Sequence, residues 1–385
     1  MDMLINKNQD SAYLKIDSVD TSQGVLTAWQ CAQVIGDQWD DFLASTPLGH
    51  FYQTSMWAQV RMLDGWSHLI ILITLQDHII GGFQILIRSK SHLGKIGIVL
   101  KGPVVLSDDS AVLHFVISTL KKMAEANKIN ALIVQPPDGD SKITHFISHS
   151  DFSLNHVDYV IKDNTVVVDL HHDEMSILKA MKHNKRKNIN TALRMDVHVR
   201  QGNFNDIDVF FRLMVDTCNR QKVKPSPSNI RFLYRMWDLF SRHDNIKLFL
   251  AEYENNIVSS LMVVLFGKTA FLWKFGWSGQ FSHCRPNDVL YYEIFKWAKL
   301  HGFSFADMGA IDTGLADHVS KGKKINQSML QSYSNFKIGF GGNVVRLTKG
   351  FVYIYNPFVR RAYNLFMPFI NAVPFLKRKI LFTEN

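Results

Sequence analysis

A lysine set among aromatic residues and glycines is the side chain of this sequence best suited to chemistry. Lys337 directly follows Phe336 in the segment YSNFKIGFGGNVVRLTKG. Burial of a lysine is costly unless an anion lies nearby, so this setting indicates a phosphate or a developing oxyanion close to the ammonium group. Gly339, Gly341 and Gly342 would let the backbone approach a ligand and present its N–H groups. The alternative interpretation is a glycine-bulged strand with an exposed lysine.

Positive charge is concentrated in two stretches of the 385-residue chain, which has 43 Lys and Arg, 34 Asp and Glu and a net charge of +9. The ranges Lys179–Arg200 and Arg346–Asn385 each hold seven basic residues and one acid, so the other 323 residues carry −3. Apolar residues at helical spacing predict an amphipathic helix over 178–199, with Lys185 and Arg186 on its polar side. That side either contacts phosphates of nucleic acid or of a diphosphate substrate, or is a solvated helix face.

The elements that must position these residues follow a repeated order. A helix, a three-strand meander, a second helix and a further strand are predicted in the first half. Two helices and the same succession follow in the second half, offset by roughly 174 to 179 residues. We therefore expect an α/β (α+β) chain of two tandem GNAT-like (acetyltransferase-like) domains, a fold in which splayed strands open a cleft for an acyl donor. The predicted elements are helices at 55–63, 109–127, 206–222, 229–242 and 287–301, and strands at 68–75, 79–87, 96–106, 129–135, 247–253, 257–266, 269–277 and 303–308.

The donor that this fold most often uses leaves a sequence signature. A loop of the pattern [QR]-x-x-G-x-[GA] would hold the pyrophosphate of a coenzyme A thioester with its backbone amides. None of the 22 glycines completes that pattern. We therefore expect a different acyl donor.

Cysteine use and hydropathy indicate a reducing, cytoplasmic location. Cys31, Cys218 and Cys284 are few and widely spaced, which indicates neither a disulfide framework nor a zinc site, and no metal site is predicted. The first residues lack the apolar core of a signal peptide. The most apolar stretches are interrupted by polar residues and prolines, so none is predicted to span a bilayer.

Several segments resemble the FemABX family of aminoacyl-tRNA-dependent peptidoglycan transferases. Each is weak alone, but they occur in the family's order and cover most of residues 39–350. The resemblance implies two GNAT-like domains, 1–165 completed by 346–385, and 166–345, without the long helical arm that some members insert. It also implies aminoacyl-tRNA as the donor and a UDP- or lipid-linked muropeptide amine as the acceptor. The matching segments are GHFYQTSMWAQVRMLDGW (49–66), KGPVV (101–105), KHNKRKNINTALRMDVHV (182–199), FRLMVDTCNRQKVKP (211–225), RPNDVLYYEIFKWAKLHGFSFADMGAID (285–312) and NFKIGFGG (335–342).

The resemblance also implies roles for particular residues. Lys337 would stabilise the tetrahedral oxyanion of the transferred ester, and the backbone of Phe336 would help to position the attacking amine. Arg61 matches a position implicated in binding the precursor's diphosphate, where many members have lysine, and Arg220 is a second candidate for that role. An acid that follows the GPVV segment is proposed in the family to help deprotonate the acceptor amine. Either Asp108 or Asp109 matches that acid, and a helix cap is an equally good interpretation of both.

The C-terminal stretch 357–382 mixes aromatic residues with five basic residues. It would either lie on the inner face of an anionic plasma membrane, where a lipid-linked precursor resides, or pack on the first domain and add a basic rim for tRNA.

We therefore expect an aminoacyltransferase of cell-wall biosynthesis that needs no cofactor, because an ester is already activated and positioning with oxyanion stabilisation can suffice. One alternative is an acyl-CoA-dependent N-acyltransferase acting on a polysaccharide or lipid. The other is a non-catalytic binder of RNA or membrane that uses the two basic stretches.

Overall fold

The computed structural model describes residues 3–5, 13–31, 37–90, 94–155 and 163–372. The chain divides into two compact units, one formed by 1–162 together with 348–385 and the other by 163–347. Each unit consists of a mixed sheet with helices packed on it and has its own apolar core.

The first unit is built on a nine-stranded sheet. Its strand order is β1-β2-β3-β4-β5-β7-β16-β8, and the short β6 pairs with β4. β5 and β7 run parallel and stay paired along their whole length, from Lys95 and Ile129 to Leu100 and Gln135. The strands are β1 (Tyr13–Thr21), β2 (Gly24–Cys31), β3 (Ser67–Leu75), β4 (His78–Lys90), β5 (Gly94–Leu100), β6 (Val104–Val105), β7 (Ile129–Gln135), β8 (Ser153–Leu154) and β16 (Phe351–Ile354).

The helices of the first unit are short apart from α3 and α13. Asp109 caps α3, since its Oδ1 accepts a hydrogen bond from the backbone N–H of Ala111 at 2.7 Å. The apolar face of α3 is buried against the sheet, as the exposure of Val116 (0%) and Leu120 (0%) shows. The helices are α1 (Asp37–Ser45), α2 (Ser55–Met62), α3 (Ser110–Ala126), α4 (Ser141–Ser148) and α13 (Pro357–Ala372).

The second unit has a seven-stranded sheet of order β10-β11-β12-β13-β14-β9-β15. Its parallel pair, β13 and β14, is joined only from Thr269 and Phe305 to Phe271 and Asp307. β14 pairs with β9 from Phe305 to Ala310, and beyond Asp307 it has left β13. The second unit therefore has the splayed pair of strands that the GNAT fold predicts. The strands are β9 (Asn164–Asp169), β10 (His198–Gln201), β11 (Ile246–Tyr253), β12 (Asn256–Phe266), β13 (Thr269–Trp277), β14 (Phe305–Ala310) and β15 (Asn343–Arg346).

Helices cover both faces of this second sheet. One of the two longest, α9, begins at Pro286 and ends before Gly302, whose φ of +79° suits the left-handed position that follows a helix. A short 3-10 helix, Phe204–Asp206, is all that lies between β10 and α7, so no helical arm is inserted at this point of the described chain. The helices are α5 (Glu174–Ala180), α6 (His183–Arg194), α7 (Ile207–Gln221), α8 (Ile230–Ser241), α9 (Pro286–Leu300), α10 (Thr313–Ser320), α11 (Gln327–Leu330) and α12 (Tyr333–Ile338).

The predicted fold class is confirmed, and two local predictions are wrong. The single helix expected over 178–199 is two helices, α5 and α6, because Met181 is extended (φ −68°, ψ 149°) and the Lys182 N–H donates to the carbonyl of Gly339 at 2.9 Å. The strand expected over 96–106 ends at Leu100, since Lys101 adopts a positive φ of 55°. The hairpin of β1 and β2 was not predicted.

Candidate active site

The segment that holds Phe336 and Lys337 is a helix, not the glycine-bulged strand considered above. Ser332 caps α12, its side chain accepting from the backbone N–H of Asn335 at 3.1 Å. The turn of helix directs Lys337 inward, where the residue is only 6% exposed. The interpretation of Lys337 as an exposed surface lysine is therefore wrong.

α12 spans the gap where β13 and β14 separate. On one side, the ring of Tyr333 stacks on Phe275 of β13, with 5.8 Å between ring centroids. On the other side, the ammonium group of Lys337 donates to the carbonyl oxygen of Ala310, the last residue of β14, at 2.9 Å. A Cβ atom placed on Gly309 would lie 3.5 Å from Lys337 Nζ and 3.9 Å from the carbonyl of Leu272 on β13. The ammonium group thus lies in the splay itself.

The electrostatic environment of Lys337 favours the neutral form more than water does. Burial lowers the pKa of Lys337 from its usual 10.5 to about 8, and the positive charge of Lys274 adds to this, while Asp307 opposes it. The carboxylate of Asp307 accepts hydrogen bonds from Thr165 and, at 2.7 Å, from the N–H of Gly309. Asp307 is therefore a nearby anion that offsets part of the cost of burying this lysine.

The ring of Tyr333 lies beneath the same ammonium group, 4.8 Å from Lys337 Nζ to the ring centroid. The hydroxyl groups of Tyr333 and the buried Tyr291 are 2.5 Å apart. Burial raises the pKa of Tyr291 well above its ordinary value, so this pair stays neutral and fixes the position of the Tyr333 ring.

A buried ion pair supports Phe336 from the other side of α12. Lys185 Nζ lies 2.7 Å from Asp288 Oδ1, with both side chains less than a tenth exposed. The same Nζ is 3.4 Å from the centroid of the Phe336 ring and 4.7 Å from that of Phe340. Burial lowers the pKa of Lys185, and the charge and hydrogen bond of Asp288 oppose that shift. Lys185 holds α6, α9 and α12 together.

This corrects the prediction that Lys185 lies on the polar face of its helix. Its neighbour Arg186 is also committed to the protein, donating to the backbone carbonyls of Lys179 (3.0 Å) and Met181. The exposed basic side chains of the stretch are Lys179, Lys182, Lys187 and Arg194. These four side chains are therefore the ones of this stretch that could contact phosphate groups.

The three glycines after Lys337 serve close packing within the unit. A Cβ atom on Gly339 would lie 2.9 Å from Lys185 Cε, and one on Gly341 would lie 2.5 Å from the carbonyl oxygen of Ala180. A Cβ on Gly342 would lie 2.7 Å from Val166 Cγ1. These positions therefore need glycine because protein atoms approach them, which replaces the expected approach of a ligand.

Arg61 lies on α2 of the first unit in an aromatic setting. Its NH1 is 3.1 Å from Asp64 Oδ2, and its guanidinium lies 5.8 Å from the ring of Trp57 and 5.2 Å from that of Trp66. The side chain is 23% exposed. The guanidinium lies over both indole rings, and its planar form suits stacking on aromatic faces.

Arg220, the second diphosphate candidate, lies at the end of α7 and binds the end of β13. Its guanidinium donates to the carbonyl oxygens of Trp277 and Ser278, the latter at 2.9 Å, and to Thr217 Oγ1 at 3.3 Å. A Cβ atom on Gly279 would lie 2.8 Å from its NH1. Arg220 thus holds β13 where that strand has left β14.

The two acids proposed for the acceptor amine have different settings. Asp108 is exposed and pairs with Lys142. Asp109 is half-buried, and besides capping α3 its Oδ2 accepts from Gln23 Nε2 at 2.9 Å. The capping interpretation therefore holds for Asp109.

The residues that the sequence interpretation missed are Asp288, Tyr291 and Asp307. All three lie in the matching segment 285–312, so the segment was recognised while these partners were not. The sequence did offer one indication of Asp288: it lies in the first turn of α9, where the helix dipole stabilises a carboxylate.

Within the ranges that the structure describes, no group of three or more His, Cys, Asp or Glu residues is placed to bind a metal ion. In the same ranges, no helix is long and apolar enough to cross a bilayer.

Two family models match the chain. The model described as the FemAB family matches residues 35–151, and the model described as an acetyltransferase (GNAT) domain matches residues 179–317. They fall one in each unit.

The chain is also similar to curated proteins. The chain is 21% identical over 225 residues to a lipid II:glycine glycyltransferase of Staphylococcus saprophyticus, covering 56% of this chain and 54% of the relative. It is 22% identical over 231 residues to the protein of that name in Staphylococcus epidermidis, covering 57% and 55%. The chain spans about half the length of the curated relatives it matches.

The fold matches that of FemX with a TM-score of 0.73 at 16% identity, over 91% of this chain and all of that one. A tandem GNAT protein from the clavulanic acid biosynthesis pathway matches with a TM-score of 0.53 at 9% identity, over 86% and 99%. The FemAB family model thus matches part of the first unit, the GNAT domain model matches part of the second, and the fold is similar to that of FemX over 91% of this chain.

Proposed function

We propose that this chain is an aminoacyltransferase that moves an amino acid from aminoacyl-tRNA to an amine of a peptidoglycan precursor. The observation that carries the proposal is Lys337, a buried ammonium group in the splay of β13 and β14 with one hydrogen bond to protein. An ammonium group has three N–H donors. Ala310 takes one in the described structure, so Lys337 has donors left for a reacting oxygen.

The reaction converts an ester to an amide. The acceptor amine attacks the ester carbonyl carbon, a C–N bond forms, and the carbonyl oxygen becomes an oxyanion. Lys337 stabilises that oxyanion by donating an N–H group, in a site from which water is largely excluded. The C–O bond to the tRNA ribose then breaks, and the proton lost by the amine ends on the leaving ribose hydroxyl. With a pKa of about 8, Lys337 is about nine-tenths protonated at pH 7.

Phe336 positions the attacking amine through its backbone. α12 is a short helix, and carbonyl groups of a last helical turn point away from the helix unpaired by it. The Phe336 carbonyl belongs to that turn and would accept a hydrogen bond from the amine. The ring of Phe336 packs against Lys185 and against Tyr291, whose ring centroid is 5.4 Å away. These contacts fix the orientation of the Phe336 backbone carbonyl.

Arg61 is the better candidate for the acceptor's diphosphate. Its guanidinium lies over two indole rings and its side chain is partly exposed, and a planar guanidinium suits bidentate contact with phosphate oxygens. Arg220 has its donors on backbone carbonyls, so its contribution is to shape the end of β13. For the proton of the amine, Asp108 is the better candidate, since Asp109 is committed to its helix and to Gln23.

The curated relatives are named for lipid II, which supports a lipid-linked acceptor and work at the inner face of the plasma membrane. The test is transfer of a labelled amino acid, from a panel of charged tRNAs, to lipid-linked and nucleotide-linked muropeptides. Lys337→Met should lose the activity and Lys268→Met, at an exposed lysine of the same unit, should keep it. Absence of transfer from every charged tRNA to both acceptors would reject the proposal.

An acyl-CoA-dependent acyltransferase is the second candidate, favoured by the match to a GNAT acetyltransferase domain. The start of α9, which follows the splayed strand, is unsuited to a pyrophosphate. Pro286 removes one backbone N–H there, and the carboxylate of Asp288 occupies the first turn where an anionic ligand would gain from the helix dipole. Thermal stabilisation by coenzyme A and not by aminoacyl-tRNA would favour this candidate.

A further inference from the structure

The C-terminal helix α13 has one face packed on the first unit. Arg360, Tyr363 and Met367 point inward: the guanidinium of Arg360 lies 4.9 Å from the ring of Tyr353, and Met367 is 7% exposed. Tyr363 packs against the cluster that includes Val352 and Ile354 of β16. The expectation that this stretch packs on the first unit is therefore met by its first three turns. Residues 373–382 of that stretch lie outside the described residues.

The opposite face of α13 is apolar. Phe358, Val359, Leu365 and Phe366 are 76%, 53%, 60% and 57% exposed, and with the exposed Ala362 they form what we call the outer face. At 100° per residue they occupy one continuous arc of about 120°. A helix with one side in a protein core normally has polar residues on the other. Such a patch marks an interaction site.

Charge indicates what covers the outer face. Residues 357–382 contain five basic residues and no acid, and Arg361 is exposed at the border of the arc. Large apolar and aromatic side chains on one side with arginine and lysine around them are typical of helices that lie in the interface of an anionic membrane. An RNA surface would need the basic side chains outward, whereas Arg360 is turned inward. A second copy would bring two positively charged tails together.

We propose that α13 is an interfacial membrane anchor whose outer face inserts at the boundary between headgroups and acyl chains of an anionic bilayer. The proposal goes beyond the aminoacyltransferase function and does not depend on it. It accounts for large side chains on a helix face that the described residues of the first unit leave uncovered.

The experiment is flotation of the full-length protein with vesicles of phosphatidylcholine, with or without about one third phosphatidylglycerol. The wild-type protein should bind the anionic vesicles. The triple variant Phe358→Ser, Leu365→Ser, Phe366→Ser should lose at least about tenfold in partitioning, and Arg361→Gln about fivefold, on anionic vesicles only. A control triple variant replaces exposed apolar residues on other elements, Leu14→Ser, Val19→Ser and Leu300→Ser, and should bind as the wild type does.

Circular dichroism and thermal unfolding show whether the triple variant is folded. A second measurement avoids the question: Phe366→Trp should be quenched by brominated acyl chains more than the wild-type protein is. Equal vesicle binding by the wild-type protein and the folded triple variant would overturn the proposal. So would loss of a dimer or of tRNA binding in the triple variant with vesicle binding unchanged, because the outer face would then serve a second copy or RNA. Transfer to a water-soluble acceptor should be unaffected by the triple variant, so failure of the anchor and failure of the proposed function are separate results.

Discussion

Replacement of Lys337 by methionine should abolish transfer and stabilise the protein. Met is unbranched and of similar length, so it can take the place of the lysine side chain near Gly309 and Tyr333. The loss of transfer and the gain in stability have the same cause, because the wild-type site holds the charged Lys337 side chain in a buried position where charge is costly. A residue retained for packing would show destabilisation instead.

The pKa of Lys337 gives the size of the stabilisation. A lysine with a pKa of 10.5 in the unfolded chain and about 8 in the folded one lowers stability by about 3 kcal/mol when both states are protonated. The unfolded state binds the proton more tightly, so this cost is fully present below pH 8 and disappears as the pH rises toward 10.5. The Lys337→Met variant also loses the hydrogen bond to Ala310, which contributes about 1 kcal/mol. The net gain near pH 7 is therefore about 2 kcal/mol.

The transfer activity of the Lys337→Met variant should fall while its stability rises. Removal of one oxyanion donor lowers the rate by about 10²- to 10³-fold in comparable acyl-transfer sites. Transfer of labelled amino acid to a muropeptide acceptor measures this loss. Lys337→Arg is the matched variant that keeps the charge, and Lys268→Met is the control for loss of a lysine at the surface.

Urea unfolding at several pH values measures the stability, and hydrogen exchange of the β14 amides shows that the change lies in the second unit. Lys268→Met should shift the free energy of unfolding by no more than about 0.5 kcal/mol. A Lys337→Met variant that is less stable than the wild-type protein at pH 7 would contradict a charge penalty at this site. So would a difference in stability between the two proteins that does not shrink between pH 8 and 10.5.

Three further predictions concern the same elements. The rate of transfer should fall as the pH rises above about 8, because Lys337 then loses its proton. The Lys337→Arg variant should show this fall at a higher pH. A pH profile of kcat/KM for both proteins measures the difference. Asp288→Ala should destabilise the second unit by about 3 to 5 kcal/mol because it leaves Lys185 buried without its anion, whereas the double variant Lys185→Met, Asp288→Leu should recover most of the loss in urea unfolding. Asp109→Ala should cost about 1 kcal/mol through loss of the α3 cap, and Asp109→Ser only a few tenths; a large loss of transfer by the stable serine variant would instead make Asp109 the acid that acts on the amine.

Much of the secondary structure could be predicted because its signals are local. The start of α9 at Pro286 and its end before Gly302 follow from the residues themselves, and so do the strands rich in Ile, Leu and Val. The break between α5 and α6 could not be predicted, because it depends on a hydrogen bond from Lys182 to Gly339, more than 150 residues away in the chain.

The sequence alone marked Lys337 as the lysine whose setting requires an anion, since its neighbours are apolar and aromatic. It did not show which anion, or which other basic residues are exposed. Lys185 and Lys187 are two positions apart and chemically alike, yet only Lys185 meets a carboxylate in the interior, 103 positions along the chain. Local patterns determine helices, strands and total charge, because these depend on neighbours in the chain. The partner of each charge is determined by the tertiary structure, because packing brings together residues whose distance in the sequence carries no signal.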